Sequence, residues 1–109
     1  FWAVWCEPCR QEMPSLDKLQ ANPELDKIKI FPINIGKETL TKVNKFFIDL
    51  NIKNFEPYFD PPTTLAKMFT LRGVPTTILI NKEGQEFARV IGSIDFEDKN
   101  FVNWIKKYN

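Results

Sequence analysis

Residues 2–14 read WAVWCEPCRQEMP. The stretch holds both cysteines of the chain, Cys6 and Cys9, with Glu7 and Pro8 between them. Up to Trp5 the residues are aromatic and β-branched, the composition of a buried central strand. From Glu7 the period changes. Met13, Leu16 and Leu19 fall at i, i+3 and i+6, one stripe of a helix. The cysteines thus lie where a strand gives way to a helix. Pro8 suits the first helical turn, where a missing N–H costs little. Pro14 cannot donate to the Arg10 carbonyl, which predicts a kink but not an end. Asn22-Pro23 closes the helix.

Three chemistries compete for a Cys-x-x-Cys pair. A structural zinc site takes four ligands, usually Cys and His, and this chain has two cysteines and no histidine. A complete Cys/His site or a four-thiolate iron–sulfur cluster within one chain is therefore excluded. A carboxylate-completed or dimer-bridging metal site stays open. A structural staple this short removes roughly 2 kcal/mol of unfolded-chain entropy before strain is subtracted, a poor return. A redox pair fits best, because its reactive species is a thiolate and a helix N-terminus stabilises negative charge. On that reading Cys6 is the exposed attacking sulfur. Cys9, one turn on and more buried, resolves the mixed disulfide. Glu7 pulls two ways: its charge suits a helix start yet repels a neighbouring thiolate, which would raise the Cys6 pKa and favour a more reducing couple. The plainer reading is a solvated surface acid.

The rest of the chain supplies the scaffold. "KIKIFPINI" (27–35 with its flank) reads as a second strand with Pro32 as its oddity. Leu40, Val43, Phe47 and Leu50 repeat at helical spacing. "EPYFD" is a short extended piece stopped by Asp60-Pro61-Pro62, after which Thr63 or Thr64 can cap a short helix carrying Leu65, Met68 and Phe69. "PTTILINKEGQEFARVIG" reads as a hairpin about Gly84. Asp95 is the expected N-cap of a last helix whose buried face carries Phe101, Ile105 and Tyr108. The order β-α-β-α-(β)-α-β-β-α predicts an α/β domain, a mixed sheet covered by helices on both faces, spanning residues 1–109.

Bulk composition adds exclusions. Fifteen basic and fourteen acidic residues leave a net charge of +1, and the chain shows no basic stripe of the kind nucleic acid demands. Lys106 and Lys107, the one dense basic pair, mark the last turn of a helix. No run of 18 apolar residues and no charged-then-apolar leader is present. The chain opens without methionine on a strand already under way, so it is expected to be a domain cut from a longer precursor.

With "FWAVWCEPC", "RGVPTTILINKEG" and a closing helix in this order, the chain resembles the thioredoxin superfamily. More closely it is similar to the TlpA/ResA-like branch of extracytoplasmic thiol–disulfide oxidoreductases. The resemblance implies a dithiol–disulfide exchange enzyme, a protein-disulfide reductase with Cys6 and Cys9 as its catalytic pair. It implies no cofactor and no metal. Pro75 corresponds to the family's cis-proline. Val74, just before it, would offer its backbone to an extended substrate segment. Trp5, Glu7 and Pro8 would face the substrate, the alternative for Trp5 being a plain core aromatic. "CEPC" looks like the reducing members that serve cytochrome c maturation. The implied partners are protein disulfides, apocytochrome c among them, and a membrane thiol donor. The implied location is the bacterial periplasm, with a membrane tether through a removed N-terminal segment. Rival readings are a disulfide-forming oxidant and a peptide-binding module without turnover.

Two departures from the family stand out. The strand, or hairpin and helix, that normally precede "FWAVW" are missing, which would leave the sheet short of strands. The acid that many reducing members carry after the second strand is displaced: Lys37 follows Gly36, and Glu38 stands one position on. Glu38 is either the proton acceptor for Cys9 or an ordinary helix-start acid. Arg10 and Arg72 are either thiolate-stabilising charges or solvated cations. Tyr58 and Phe59 are either core or groove wall.

Overall fold

The computed structural model describes residues 1–109. Its first helix, α1 (Glu7–Ala21), starts where the sequence change predicts. Cys6 is the N-cap, with extended backbone and a sulfur that accepts from the Cys9 N–H; Glu7 and Pro8 fill the first turn, and Lys18 lies in the last. The helix runs unbroken through Pro14. Met13 on one side of it and Leu16 and Leu19 on the other are buried, and that packing holds the helix across the lost bond. Asn22 ends α1, and its side chain caps a short 3-10 turn at Pro23–Leu25.

The strands are shorter than the apolar runs suggest. Only Phe1 and Trp2 of the opening segment pair. The Trp2 N–H donates to the Ile33 carbonyl and the Trp2 carbonyl accepts from Ile35, both at 3.0 Å, while Phe1 exchanges bonds with Thr76. Ala3 to Cys6 instead form a turn, closed by the Cys6 N–H on the Ala3 carbonyl at 3.2 Å. The second run contributes only β1 (Ile33–Asn34). Pro32 lacks a donor, and the residues before it find a substitute strand. Gln20 of α1 donates to the Ile28 carbonyl (2.9 Å) and accepts from the Ile30 N–H (2.7 Å).

Helix α2 (Leu40–Asp49) is capped by the Thr39 hydroxyl and followed by β2 (Tyr58–Phe59), which pairs parallel with β1. A short helix α3 (Thr64–Met68) precedes the antiparallel hairpin of β3 (Thr76–Ile80) and β4 (Glu86–Ile91). Helix α4 (Lys99–Ile105) and a 3-10 turn (Lys106–Tyr108) end the chain. Through the opening segment the two strand pairs join in the order β2, β1, Phe1–Trp2, β3, β4, a mixed sheet.

Two caps differ from expectation. Neither Thr63 nor Thr64 caps α3 through its side chain; the buried Asp60 carboxylate accepts from the Leu65 and Ala66 N–H groups instead. A carboxylate is the stronger acceptor, and Thr63 is held at φ +56°, out of capping geometry. Asp98, not Asp95, caps α4, accepting from Phe101, while Asp95 makes the preceding turn with Glu97. Tyr108 is 41% exposed and lies on Phe87 at 4.3 Å, so it covers the hairpin and is not buried with Ile105. One continuous core joins α1, α2, β3 and α4, with Trp2 packed on Phe46 at 4.7 Å and both cysteines inside it.

Candidate active site

Cys6 and Cys9 are joined as a disulfide, their Cα atoms 5.2 Å apart at the N-terminus of α1. The Cys9 N–H donates to Cys6 Sγ at 3.2 Å. A helix-terminal donor and the positive end of the helix thus face the Cys6 sulfur. Cys6 is 4% exposed and Cys9 wholly buried. Both cysteines are therefore buried, and the expected open presentation of Cys6 is corrected: in the disulfide its sulfur is turned in toward α1 and Cys9. Trp5, immediately before it, is 70% exposed, which removes the core-aromatic alternative. Glu7 and Pro8 are exposed beside the pair.

The Val74–Pro75 peptide bond is cis. Because Phe1 pairs antiparallel with Thr76, the chain running forward from Phe1 and backward from Thr76 reaches the same end of the sheet. Cys6 and Val74 both lie at that end. The loop is fixed by the Thr76 hydroxyl on the Gly73 carbonyl (2.7 Å) and by Gly92 N–H on the Pro75 carbonyl (3.0 Å). The Val74 N–H and carbonyl make no hydrogen bond within the chain. Val74 as a whole is half-buried.

Two acids stand near the pair. Glu38 does not bond to either cysteine. Its Oε1 accepts from the Val4 N–H at 2.7 Å and from Asn34 Nδ2 at 3.1 Å. Glu12, which the sequence reading passed over, is 3% exposed and lies on α1 one turn beyond Cys9. Its Oε1 has no hydrogen-bond partner. Burial pushes its pKa up to about 7, against the opposing attraction of the Phe1 ammonium and the Ile94 backbone N–H. The signal for it was spacing: Cys6, Cys9 and Glu12 recur every three residues, and an acid on that side of an amphipathic helix is turned inward.

The two arginines divide. Arg10 lies over the Phe46 ring at 4.9 Å, so its charge is spent on an aromatic face. Arg72 is exposed and forms no ion pair. Tyr58 (42% exposed) and Phe59 (38%) line the sheet edge and are not core. No cluster of His, Cys, Asp and Glu has the disposition of a metal site. No helix is long and apolar enough to cross a membrane.

The sequence and the fold are similar to those of known proteins. The model of a family described as thioredoxin-like matches residues 1–86. The chain belongs to the thioredoxin-like family. Among its thioredoxin-like relatives is the thiol-disulfide oxidoreductase ResA of Geobacillus kaustophilus, 30% identical over 98 residues, a match covering 90% of this chain and 55% of that protein. The sporulation thiol-disulfide oxidoreductase A of Bacillus subtilis is 29% identical over 98 residues, covering 89% and 59%. A Chlorobium tepidum structure, provisionally named thiol:disulfide interchange protein DsbE, superposes with a TM-score of 0.84 at 26% identity, covering 99% of this chain and 75% of that one. The chain spans a little over half the length of these two curated relatives.

Proposed function

We propose that the chain is a thiol–disulfide oxidoreductase working as a reductant of protein disulfides. The observation that carries this is the Cys6–Cys9 disulfide at the α1 N-terminus, with a helix N–H on Cys6 Sγ and the unpaired Val74 backbone at the same end of the sheet.

In the reduced protein the Cys6 thiolate attacks one sulfur of a substrate disulfide. A mixed disulfide forms, and the first substrate sulfur leaves as a thiolate that takes a proton from solvent. Cys9 gives its proton to Glu12 and attacks Cys6 Sγ. The mixed disulfide breaks, the second substrate sulfur leaves, and the Cys6–Cys9 bond closes. Two electrons have passed to the substrate, and a dithiol donor returns them. Glu12 suits the proton step because a carboxyl held near pH 7 can take a proton and release it. Its place after Cys9 favours it over Glu38, whose Oε1 is already held by two donors.

Trp5 and the Val74 backbone form the substrate-facing surface, with Pro75 holding the loop. Glu7, charged and exposed at the first helical position, opposes the Cys6 thiolate and so supports the reducing direction. The family resemblance carried by "CEPC" extends the proposal to an extracytoplasmic setting, a membrane thiol donor and apocytochrome c among the substrates.

Insulin reduction by wild type and Cys6→Ser, with the reduction potential of the pair, tests the proposal. Activity in wild type alone, with a potential toward the thioredoxin end of the scale, about −270 mV, supports it. Equal activity in both proteins points to a binding module. A potential near that of strong oxidants, about −120 mV, reverses the direction.

A further inference from the structure

We propose that Glu38 is a positioning residue for Cys6: its carboxylate clamps the Val4 N–H and thereby sets the turn that delivers Cys6 to the α1 N-terminus. The inference rests on the redox reading of the Cys6–Cys9 pair and assigns Glu38 a role other than proton transfer.

Four independent local features converge on this clamp. Val4 lies inside the Ala3–Cys6 turn, where its N–H is lost to the sheet ladder, and Glu38 Oε1 takes it at 2.7 Å. Asn34, buried at 2% exposure, donates Nδ2 to the same oxygen at 3.1 Å, and its Oδ1 accepts from the Gly36 N–H at 3.0 Å. Lys37 takes a left-handed φ of +59°, which folds the chain so that Glu38 returns over its own backbone. Gly36 leaves the room: a Cβ there would lie 2.0 Å from Glu38 Oε2 and 2.2 Å from Oε1. A residue whose only work was to start a helix needs none of this. Thr39 already caps α2 through its own hydroxyl on Lys42 N–H.

The consequence for Cys6 follows from chain geometry. Val4 and Trp5 are the two central residues of the turn whose closing bond is Cys6 N–H on the Ala3 carbonyl. With the Val4 N–H tied down, the turn presents Trp5 outward and fixes Cys6 in the extended N-cap conformation that faces its sulfur to the Cys9 N–H. Without the clamp the turn gains freedom, and the thiolate loses part of its helix-terminal stabilisation.

Three substitutions separate positioning from charge and from proton transfer. Glu38→Gln keeps a carbonyl oxygen for Val4 and Asn34 but carries no charge and accepts no proton. Glu38→Ala removes the clamp. Gly36→Ala keeps the acid but expels it, because the carboxylate is the flexible partner in the clash and Gly36 has no left-handed φ to preserve. The readout is the Cys6 thiol titration and its alkylation rate in the reduced protein, with insulin reduction alongside. Glu38→Ala and Gly36→Ala are expected to raise the Cys6 pKa by about one unit and slow alkylation at pH 7 about tenfold. Glu38→Gln should stay within about twofold of wild type, the scale of a retained neutral acceptor. A Gln variant as impaired as the Ala variant would overturn the proposal in favour of proton transfer. A fall in Cys6 pKa in both Gln and Ala variants would overturn it in favour of simple charge, and wild-type alkylation in either Ala variant would overturn it outright. Alkylation needs no substrate turnover, so a wild type inactive on insulin would sink the oxidoreductase reading while leaving this comparison intact.

Discussion

Glu12 stands one turn of α1 beyond Cys9, buried with it, and has a carboxylate oxygen that nothing in the chain satisfies. An unpartnered buried oxygen costs free energy, and sites that tolerate such a cost are commonly functional ones.

If Glu12 accepts the Cys9 proton, release of substrate from the mixed disulfide should accelerate as pH rises through about 7, where Glu12 ionises. Glu12→Gln should lose that limb and run about tenfold or more slower at pH 7, within the range a general base supplies. Single-turnover rates of substrate release across pH 5–9 would check it; an unchanged profile assigns the proton elsewhere.

The same group sets a stability signature. Its pKa in the folded protein lies above the ordinary 4.5, so between pH 4.5 and about 7 the native state holds a proton that the unfolded chain has lost. Stability therefore falls as pH rises through that window, by up to about 1.4 kcal/mol per pH unit. Urea titrations from pH 4.5 to 7 cover that window. Wild type should lose stability there relative to Glu12→Gln, and parallel curves for the two proteins would contradict the buried acid.

Asp17 is the counter-case of a buried acid fully satisfied. It accepts from the Lys53 N–H (3.0 Å), the Asn54 N–H (2.7 Å) and Asn54 Nδ2 (3.1 Å), tying α1 to the loop after α2. Asp17→Ala strands two backbone donors. It should cost about 2–3 kcal/mol and lower Tm by roughly 10 °C, with the proposed thiol–disulfide exchange unaffected below the transition. Calorimetry beside an activity assay tests it; a loss of activity without loss of stability would give Asp17 another role.

Thr70 offers the reverse change. It sits just past α3 at φ +53°, exposed, with its N–H on the Lys67 carbonyl, the position where helices favour glycine. Thr70→Gly should raise stability by about 0.5–1 kcal/mol, because a β-branched residue is strained there. A measured destabilisation would show that the Thr70 side chain makes a compensating contact.

The redox pair, the helix it caps and the hairpin were legible because short-range rules govern them: a change of apolar period, a proline tolerated in the first turn, and a glycine at a tight turn. What was not legible depends on partners distant in sequence. Gln20 replaces a missing strand for Ile28 and Ile30, so an apolar run that alternates like a strand pairs over only two residues. Asp60 outcompetes two threonines for the α3 terminus from several residues upstream. Glu38 was singled out as an acid near the site, yet its place on Val4 depends on the β1 pairing that brings Asn34 and Trp2 together. Glu12 was hidden by the habit of treating a charged residue on a helix as solvated, although the spacing from Cys9 held the information.

The central claim is that Cys6 attacks and Cys9 resolves. Its most direct test is covalent trapping with a disulfide peptide, comparing reduced Cys9→Ser, which retains only Cys6, with reduced Cys6→Ser, which retains only Cys9. Mass spectrometry should find the adduct forming rapidly on Cys6 and slowly on the buried Cys9. Equal rates, or faster capture by Cys9, would contradict the assignment.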